Sequence, residues 1–248
     1  MDNINAFIDL LKNSCQTTVL TGAGISTLSG IKDFRSSNGI YSKKFKHLNV
    51  EDILDYNFFL TNPEIFYSWA KENWYGLDQY NPNIVHSTLA KLEDLNLINE
   101  IFTQNVDMLH AKANSKKVYE VHGNVREHIC TNCKKLYSYE EIFPLVKEGK
   151  VPKCNKCNGL IKPNIIFYGE NLDVSLLEHA YQSFSNSDLA IVLGSSLVVQ
   201  PVASFPMYTL NRGGKLVIIN KESTPFDNYA TLKFDDLEKT FIEINKFL

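Results

Sequence analysis

Residues 18–35 read Thr-Val-Leu-Thr-Gly-Ala-Gly-Ile-Ser-Thr-Leu-Ser-Gly-Ile-Lys-Asp-Phe-Arg. In this stretch a short β-type run meets Gly22 and Gly24, and two glycines so close together let the backbone turn tightly. Such a turn between a strand and a helix N-terminus is suited to a pyrophosphate. Gly30 comes six residues after Gly24, whereas the usual fingerprint has a spacing of about three. The stretch therefore predicts a dinucleotide site with an altered glycine pattern.

The region after this turn lacks an expected acidic residue. An ordinary nicotinamide-dependent dehydrogenase of this type places Asp or Glu about 20 residues beyond the turn, where it binds the adenine ribose. Residues 39–47 read Gly-Ile-Tyr-Ser-Lys-Lys-Phe-Lys-His and contain no acid. The sequence thus favours a bound dinucleotide and disfavours hydride transfer.

The length and net charge of the chain limit the classes of protein to which it can belong. The chain has 248 residues, enough for a large α/β domain that carries a smaller insert. Its 25 basic and 28 acidic residues give a formal net charge of −3, so charge provides no reason to expect a nucleic-acid partner. Neither a signal peptide nor a membrane-spanning apolar run is evident. We expect a cytoplasmic protein without direct nucleic-acid or membrane contacts, and the oligomeric state stays open.

Four of the five cysteines form two Cys-x-x-Cys pairs, Cys130 with Cys133 and Cys154 with Cys157, which enclose twenty residues. This spacing predicts a four-thiolate zinc ribbon, since a redox role would need only one pair. A closed four-thiolate site is structural and does not touch substrate. The fifth cysteine, Cys15, is predicted to be a small buried residue.

Polar residues follow several predicted strands. The run 98–103 leads into Gln104, Asn105 and Asp107, and the strand 118–121 leads into His122. In open parallel sheets the carboxyl ends of the strands form the ligand crevice, so we expect these residues to meet there. The same amides are equally suited to capping the next helix. His122 is a candidate base, because histidine titrates near neutrality.

The predicted fold class is α/β, a Rossmann-like parallel sheet with helices on both faces plus a small domain. Uninterrupted apolar runs at 189–193 and 216–219 are typical of strands covered on both faces. We assign residues 1–38, 81–125 and 161–248 to the sheet domain, 39–80 to an aromatic-rich helical module, and 126–160 to the zinc-ribbon module.

Taken together and in order, these motifs resemble those of the sirtuin family, in the branch found in bacteria and archaea. The resemblance rests on 22–26 with 30–35, Thr103–Asp107, His122-Gly123, the two cysteine pairs, Asn164–Glu170, Gly194–Val199 and Asn220. It implies an NAD-dependent protein lysine deacylase with structural Zn²⁺. The substrates would be acyl-lysine proteins or peptides, and the products free lysine, nicotinamide and O-acetyl-ADP-ribose.

The resemblance also implies roles for individual residues. His122 would be the general base and would also contact NAD⁺. The remaining cofactor contacts would be Gly22, Ala23, Gly24, Thr27, Asp33, Phe34 and Arg35 along the phosphates and ribose, Gln104 at a ribose, Asn105, Val106 and Asp107 around nicotinamide, and Gly194, Ser195, Ser196 and Asn220 at the adenosine half. The peptide would lie as an extended strand against Phe167, Gly169, Glu170, Val198 and Val199.

Two positions depart from the family pattern. Lys32 stands where relatives usually have proline before Asp33, which loosens the loop. Relatives that remove acidic acyl groups carry Tyr-x-x-Arg in the helical module, whereas Tyr67 is followed by Ala70, so we predict weak desuccinylation. The alternatives are a mono-ADP-ribosyltransferase with the same NAD pocket, a noncatalytic zinc-ribbon adaptor, and a dehydrogenase.

Overall fold

The computed structural model describes residues 2–248. The strands are β1 (Thr17–Thr21), β2 (Lys44–Phe45), β3 (Leu48–Asn49), β4 (Glu100–Thr103), β5 (Val118–Glu120), β6 (Gly123–Cys130), β7 (Leu136–Ser138), β8 (Ile161–Ile165), β9 (Leu189–Leu193), β10 (Lys215–Ile219) and β11 (Leu232–Phe234). The α-helices are α1 (Asp2–Asn13), α2 (Val50–Ile53), α3 (Tyr56–Thr61), α4 (Pro63–Asn73), α5 (Ile84–Asp94), α6 (Leu109–Lys112), α7 (Tyr139–Lys147), α8 (Val174–Asn186), α9 (Phe205–Asn211) and α10 (Leu237–Asn245). Short 3-10 helices occupy Ala23–Ser29, Ile40–Ser42, Leu77–Gln79, Val202–Ser204 and Asp227–Tyr229.

Six strands form one parallel sheet in the order β11-β10-β9-β1-β4-β5. The apolar side chains of each central strand alternate between the two faces, as Ile191 and Val192 do in β9. Helices α1, α5 and α10 cover one face, and α8 and α9 cover the other. The predicted doubly covered parallel sheet is confirmed.

A second, smaller unit lies between the sheet strands in sequence. Helices α2 to α4 pack against the three-stranded sheet β7-β6-β8 around one aromatic-rich core. Phe66 lies at its centre, with its ring centroid 5.1 Å from that of Tyr67 and 6.0 Å from that of Trp74. The helical module and the cysteine-bearing module therefore share a single core. Their small sheet extends from Gly123 to Ile165, and the domain boundaries assigned above stay a prediction.

The glycine turn after β1 leads into a 3-10 helix, Ala23–Ser29, rather than the start of an α-helix. Glycine, serine and threonine in this stretch favour α-helix weakly, and Thr27 Oγ1 donates a hydrogen bond at 2.8 Å to the carbonyl of Gly24. Asn83, the N-cap of α5, donates from Nδ2 to the Ile25 carbonyl at 2.8 Å. The side chain of one helix cap thus holds this segment in place.

Cys15 is exposed, so the prediction of a buried residue is wrong. It lies in the turn between α1 and β1, where its backbone amide donates to Asp188 Oδ2 at 2.7 Å. The turn places its side chain outward, and no sequence pattern specifies that direction.

Across residues 2–248, the helices are all too short or too polar to cross a membrane.

Candidate active site and metal centre

A crevice of about 1420 Å³ opens at the carboxyl edge of the parallel sheet. Its walls include the glycine turn after β1, Gln104–Val106 after β4, His122 after β5, Gly194–Ser196 after β9 and Asn220 after β10. The strand ends converge because all six strands run in parallel, as expected for ligand sites in open α/β sheets.

Two strand ends meet at the centre of this edge. The Gly24 amide donates to the carbonyl of Gly194 at 2.8 Å, and Gly194 adopts a positive φ of 58°. A Cβ on Gly22 would lie 2.7 Å from the Gly194 oxygen, and one on Gly24 would lie 2.7 Å from the Gly194 Cα. Residues larger than glycine are therefore excluded at positions 22 and 24. The backbone turn is narrow as a result, and the crevice stays open beside it.

Asn105 and Asp107 hold the segment beyond β4 against the glycine turn. Asn105 Nδ2 donates to the carbonyl of Gly22 at 3.1 Å. The carboxylate of Asp107 accepts from Ser26 Oγ at 2.6 Å and from the Leu109 amide at 3.0 Å. Burial raises the pKa of Asp107, and its hydrogen bonds oppose that rise. Asn105 lines the crevice, whereas Asp107 lies beneath its wall and is 5% exposed.

His122 is held by one ring nitrogen. Its Nδ1 lies 3.2 Å from the backbone carbonyl of Gln104, and because a carbonyl can only accept, Nδ1 carries the proton. Nε2 is then the nitrogen that can take up a proton. Burial lowers the pKa of His122 below its ordinary value, the Gln104 carbonyl opposes this, and the Arg35 charge lowers it further. The ring is therefore neutral near pH 7, as a general base requires.

The opposite wall is the segment that follows β8. Phe167 is buried and Gly169 lines the crevice with a positive φ of 86°. The backbone of Tyr168 pairs with the helical module, since its amide donates to Leu54 at 2.9 Å and its carbonyl accepts from Tyr56 at 3.0 Å. This segment therefore lies against the helical module along one side of the crevice.

Four of the five residues predicted to contact the peptide border the crevice, namely Phe167, Gly169, Glu170 and Val199. The carboxylate of Glu170 accepts from Lys162 Nζ and from the Phe167 amide, both at 2.8 Å. Val198 is half exposed and lines a neighbouring groove, whereas Val199 borders both the groove and the crevice.

The other residues predicted to bind the cofactor border the crevice. Gln104 Nε2 donates to Ser195 Oγ at 2.8 Å, which links the ends of β4 and β9. Two further lining residues, Tyr41 and Tyr168, were not predicted as site residues. Each stands in a turn-rich stretch, and no sequence spacing separates such a tyrosine from one that only packs.

The four paired cysteines form one cluster. Their sulfur atoms all lie within 4.8 Å of one another, with Cys130 to Cys157 at 3.5 Å and Cys133 to Cys154 at 3.6 Å. Tetrahedral Zn²⁺ with bonds of about 2.3 Å needs sulfurs roughly 3.8 Å apart, so the donors fit a structural zinc ion. None of the four borders the crevice.

The surroundings of this cluster suit metal binding. Tyr137 donates from its hydroxyl to Cys154 Sγ at 3.1 Å, and the amide of Lys156 lies 3.4 Å from the same sulfur. The Tyr137 hydrogen bond is the main cause that lowers the pKa of Cys154, which favours the thiolate that a metal binds. His128 is not part of the cluster, because its Nε2 is 2.6 Å from the Tyr75 hydroxyl.

Fold and site together define a Rossmann-type nucleotide-binding protein with a separate four-thiolate metal centre. The model of the Sir2 family matches residues 22–201, and the chain belongs to this family, the sirtuins. It is 51% identical over 229 residues to the NAD-dependent protein deacetylase of Thermotoga maritima, covering 92% of this chain and 91% of that protein.

Two solved structures are similar over almost their whole length. One is a Sir2 protein with a deacetylated p53 peptide and 3′-O-acetyl-ADP-ribose, at a TM-score of 0.94 and 47% identity, covering 99% of this chain and 98% of that one. The other is a Sir2 protein bound to a propionylated peptide, at a TM-score of 0.90 and 46% identity, covering 98% of both chains. The predicted family is confirmed.

Proposed function

We propose that this chain is an NAD-dependent protein lysine deacylase. It removes acetyl and similar small acyl groups from lysine side chains and yields the free lysine, nicotinamide and the matching O-acyl-ADP-ribose, which is O-acetyl-ADP-ribose for an acetyl substrate. The T. maritima relative, named an NAD-dependent protein deacetylase, and the solved Sir2 complexes support this activity. The observation that carries the proposal is the neutral His122 in the crevice, with Nδ1 held by Gln104 and Nε2 able to accept a proton.

NAD⁺ supplies the ribose carbon C1′ as an electrophile and ADP-ribose as the acyl acceptor. The residues of the crevice fit this co-substrate. Arg35 offers a positive charge in the lining of the crevice, and Ser195 and Ser196 offer hydroxyls at the end of β9. Asn105 and Val106 line the crevice near His122, and we infer that they hold the nicotinamide end.

His122 acts on the ribose. The acyl oxygen of the substrate would attack C1′ as nicotinamide leaves. His122 Nε2 would then take a proton from a ribose hydroxyl, whose oxygen attacks the acyl carbon, and addition of water with cleavage of the bond from that carbon to the lysine nitrogen would free the lysine amine. The Gln104 carbonyl keeps the tautomer and ring direction that this step requires. The acyl-lysine chain enters along the segment 166–170, and we infer that Gly169, which lines the crevice, pairs with the backbone of an extended peptide.

The zinc centre acts through the fold alone. Its thiolates hold the small domain, which forms one wall of the crevice together with the segment after β8. A cytoplasmic location is part of the proposal, and its support is the set of unpaired thiols, which a reducing compartment keeps available for metal.

An acetyl-lysine peptide incubated with and without NAD⁺ and followed by mass spectrometry tests the activity. We expect NAD-dependent loss of the acetyl group and formation of O-acetyl-ADP-ribose, both abolished in His122→Asn. The variant keeps a side-chain donor for the Gln104 carbonyl but has no basic nitrogen. His47→Asn, at an exposed histidine outside the crevice, is the matched control and should retain activity. A peptide that keeps its acetyl group while a protein acquires ADP-ribose would instead establish the transferase.

A further inference from the structure

Two parts of the crevice wall meet at one hydroxyl group. The cofactor loop, residues 33–42, carries Arg35 and Tyr41, and the docking segment, residues 165–170, carries Tyr168. The Tyr168 hydroxyl lies 3.0 Å from the Tyr41 hydroxyl and accepts from Arg35 Nη2 at 3.3 Å. The Arg35 guanidinium also lies 5.3 Å from the centre of the Tyr41 ring. All three residues border the crevice.

Tyr41 is tied to the rest of the cofactor loop. Its amide donates to the Phe34 carbonyl at 2.9 Å, and the Ile40 amide donates to the Asp33 carbonyl at 2.8 Å. The rings of Phe34 and Tyr41 lie 5.3 Å apart. A force that holds Tyr41 therefore also restrains the backbone beside Asp33 and Phe34, where we place the NAD⁺ contacts.

Tyr168 is tied just as firmly to the other wall. Its amide and carbonyl pair with Leu54 and Tyr56 of the helical module. Gly169, the next residue, lies on the path assigned to the peptide. Within residues 2–248, each hydrogen bond between the cofactor loop and the docking segment ends on the Tyr168 hydroxyl. This one oxygen is therefore the polar link between the two binding regions.

The Tyr41 phenol keeps its proton in neutral solution. Burial raises the pKa of Tyr41 well above its ordinary value, and the hydrogen bond with Tyr168 raises it further. Tyr41 is therefore a neutral hydrogen-bonding partner of the Tyr168 hydroxyl.

We propose that Tyr168 is a positioning residue that couples peptide binding to NAD⁺ binding through its hydroxyl contacts with Tyr41 and Arg35. A peptide strand against Gly169 further restrains the docking segment and the side chain of Tyr168, and the restrained hydroxyl holds the cofactor loop in place. The loop then loses less freedom when NAD⁺ binds. Because coupling between two sites is reciprocal, NAD⁺ increases peptide affinity by the same factor. The inference rests on the proposed function, since it takes both ligands from there.

Calorimetry on the full chain tests the coupling. The two probes are an acetyl-lysine peptide and carba-NAD, an analogue whose bond to nicotinamide is not cleaved. The Kd of carba-NAD is measured with and without saturating peptide. A hydroxyl link of ordinary strength gives a ratio of roughly three to ten in the wild type. In Tyr168→Phe, which removes one oxygen and keeps the ring, the ratio should fall toward one. Tyr41→Phe should lower it in part, because Arg35 still donates to Tyr168, and adding Tyr41→Phe to Tyr168→Phe should change nothing more.

Tyr181→Phe is the matched control, since Tyr181 is half exposed on α8 and does not border the crevice. It should keep the wild-type ratio. If Tyr168 had only a structural role, Tyr168→Phe would change the melting temperature or the Kd of carba-NAD with and without peptide by the same factor. The ratio of these two Kd values would then stay at its wild-type value, and that result overturns the inference. A protein that binds neither probe overturns the proposed function itself, whereas one that binds both without coupling overturns only this inference.

Discussion

Lys162 Nζ lies 2.8 Å from Glu170 Oε2, and the lysine side chain is only 6% exposed. The same ammonium donates to the Ile165 carbonyl and lies 4.2 Å from the centre of the Phe167 ring. Glu170 in turn accepts the Phe167 amide. One buried ion pair therefore closes the turn that forms a wall of the crevice. Glu170 therefore supports this wall, and because it also borders the crevice, the direct peptide contact that the family resemblance implies stays a prediction.

Replacing Lys162 by Met should destabilise the protein by about 3–5 kcal/mol, because it leaves a largely buried carboxylate without its partner. The measurement is the free energy of unfolding in urea. The double variant Lys162→Met with Glu170→Gln should recover part of this loss. In the exposed pair Lys246–Glu243, Lys246→Met should cost less than about 1 kcal/mol. Equal effects at the two lysines would contradict this account.

Removal of zinc should unfold the small domain. The four thiolates hold β6 and the chain before β8, and both contribute to the aromatic core of the helical module. We expect about one equivalent of zinc per chain, with Cys130→Ser losing the metal and melting at a lower temperature. Cys15→Ser, at the exposed cysteine outside the cluster, should retain both metal and melting temperature. A zinc-free protein with unchanged melting would exclude a structural metal.

The buried hydrogen bond from Ser26 to Asp107 should stabilise the floor of the crevice. Ser26→Ala leaves the Asp107 carboxylate with one partner fewer, at a cost of about 1–3 kcal/mol. An exposed bond of the same chemistry joins Ser175 to Asp173 at the start of α8, so Ser175→Ala is the matched control and should cost much less. The free energy of unfolding of both variants is measured with a chemical denaturant, and the Kd of carba-NAD is measured for each. An unchanged Kd and unchanged stability in Ser26→Ala would refute this role.

Activity should decline on the acid side with the protonation of His122. Burial holds the pKa of His122 below its ordinary value of 6.5, so the free base predominates at neutral pH and is lost only as the pH falls through that lowered pKa. The acid limb of kcat/KM should therefore have its midpoint below 6.5. Because the pKa of His122 is lower in the folded protein than in the unfolded chain, the unfolded chain binds this proton more readily. His122 therefore lowers the free energy of unfolding as the pH falls below about 6.5. A midpoint above 6.5 would show that another group controls the acid limb.

Much of the site follows from the sequence because a parallel sheet gathers its strand ends. Gly22, Asn105, His122 and Ser195 are far apart in the chain, yet each follows a strand, and the topology places them on one crevice. The cysteine spacing likewise predicts the metal centre, since thiolates in such pairs have few other uses.

The direction in which a side chain points is harder to predict from the sequence. Glu170 turns inward because Lys162 is buried beside it, and Cys15 points outward because a turn intervenes between α1 and β1. Asp107 supports the wall because Ser26 and the Leu109 amide both donate to it. Each direction depends on a partner distant in the chain or on local turn geometry, and neither leaves a periodic pattern.

Acidic acyl groups should be poor substrates. Tyr67 and Ala70, which stand at the positions of the Tyr-x-x-Arg motif, are both buried in the core of the small domain, and neither borders the crevice. The Tyr67 hydroxyl already donates to the Ile161 carbonyl at 2.6 Å, so these positions provide no cation and no free donor for a second carboxylate.

We therefore expect kcat/KM for a succinyl-lysine peptide to be at least about 100-fold below that for the acetyl peptide, because an unpaired carboxylate is costly to desolvate. A succinamoyl peptide has the same size without the charge and separates charge from bulk. It should be cleaved faster than the succinyl peptide, whereas two equally slow peptides would make size the limit. Succinyl and acetyl peptides cleaved at equal rates would show that a cation of this chain, such as Arg35, reaches the end of the acyl group.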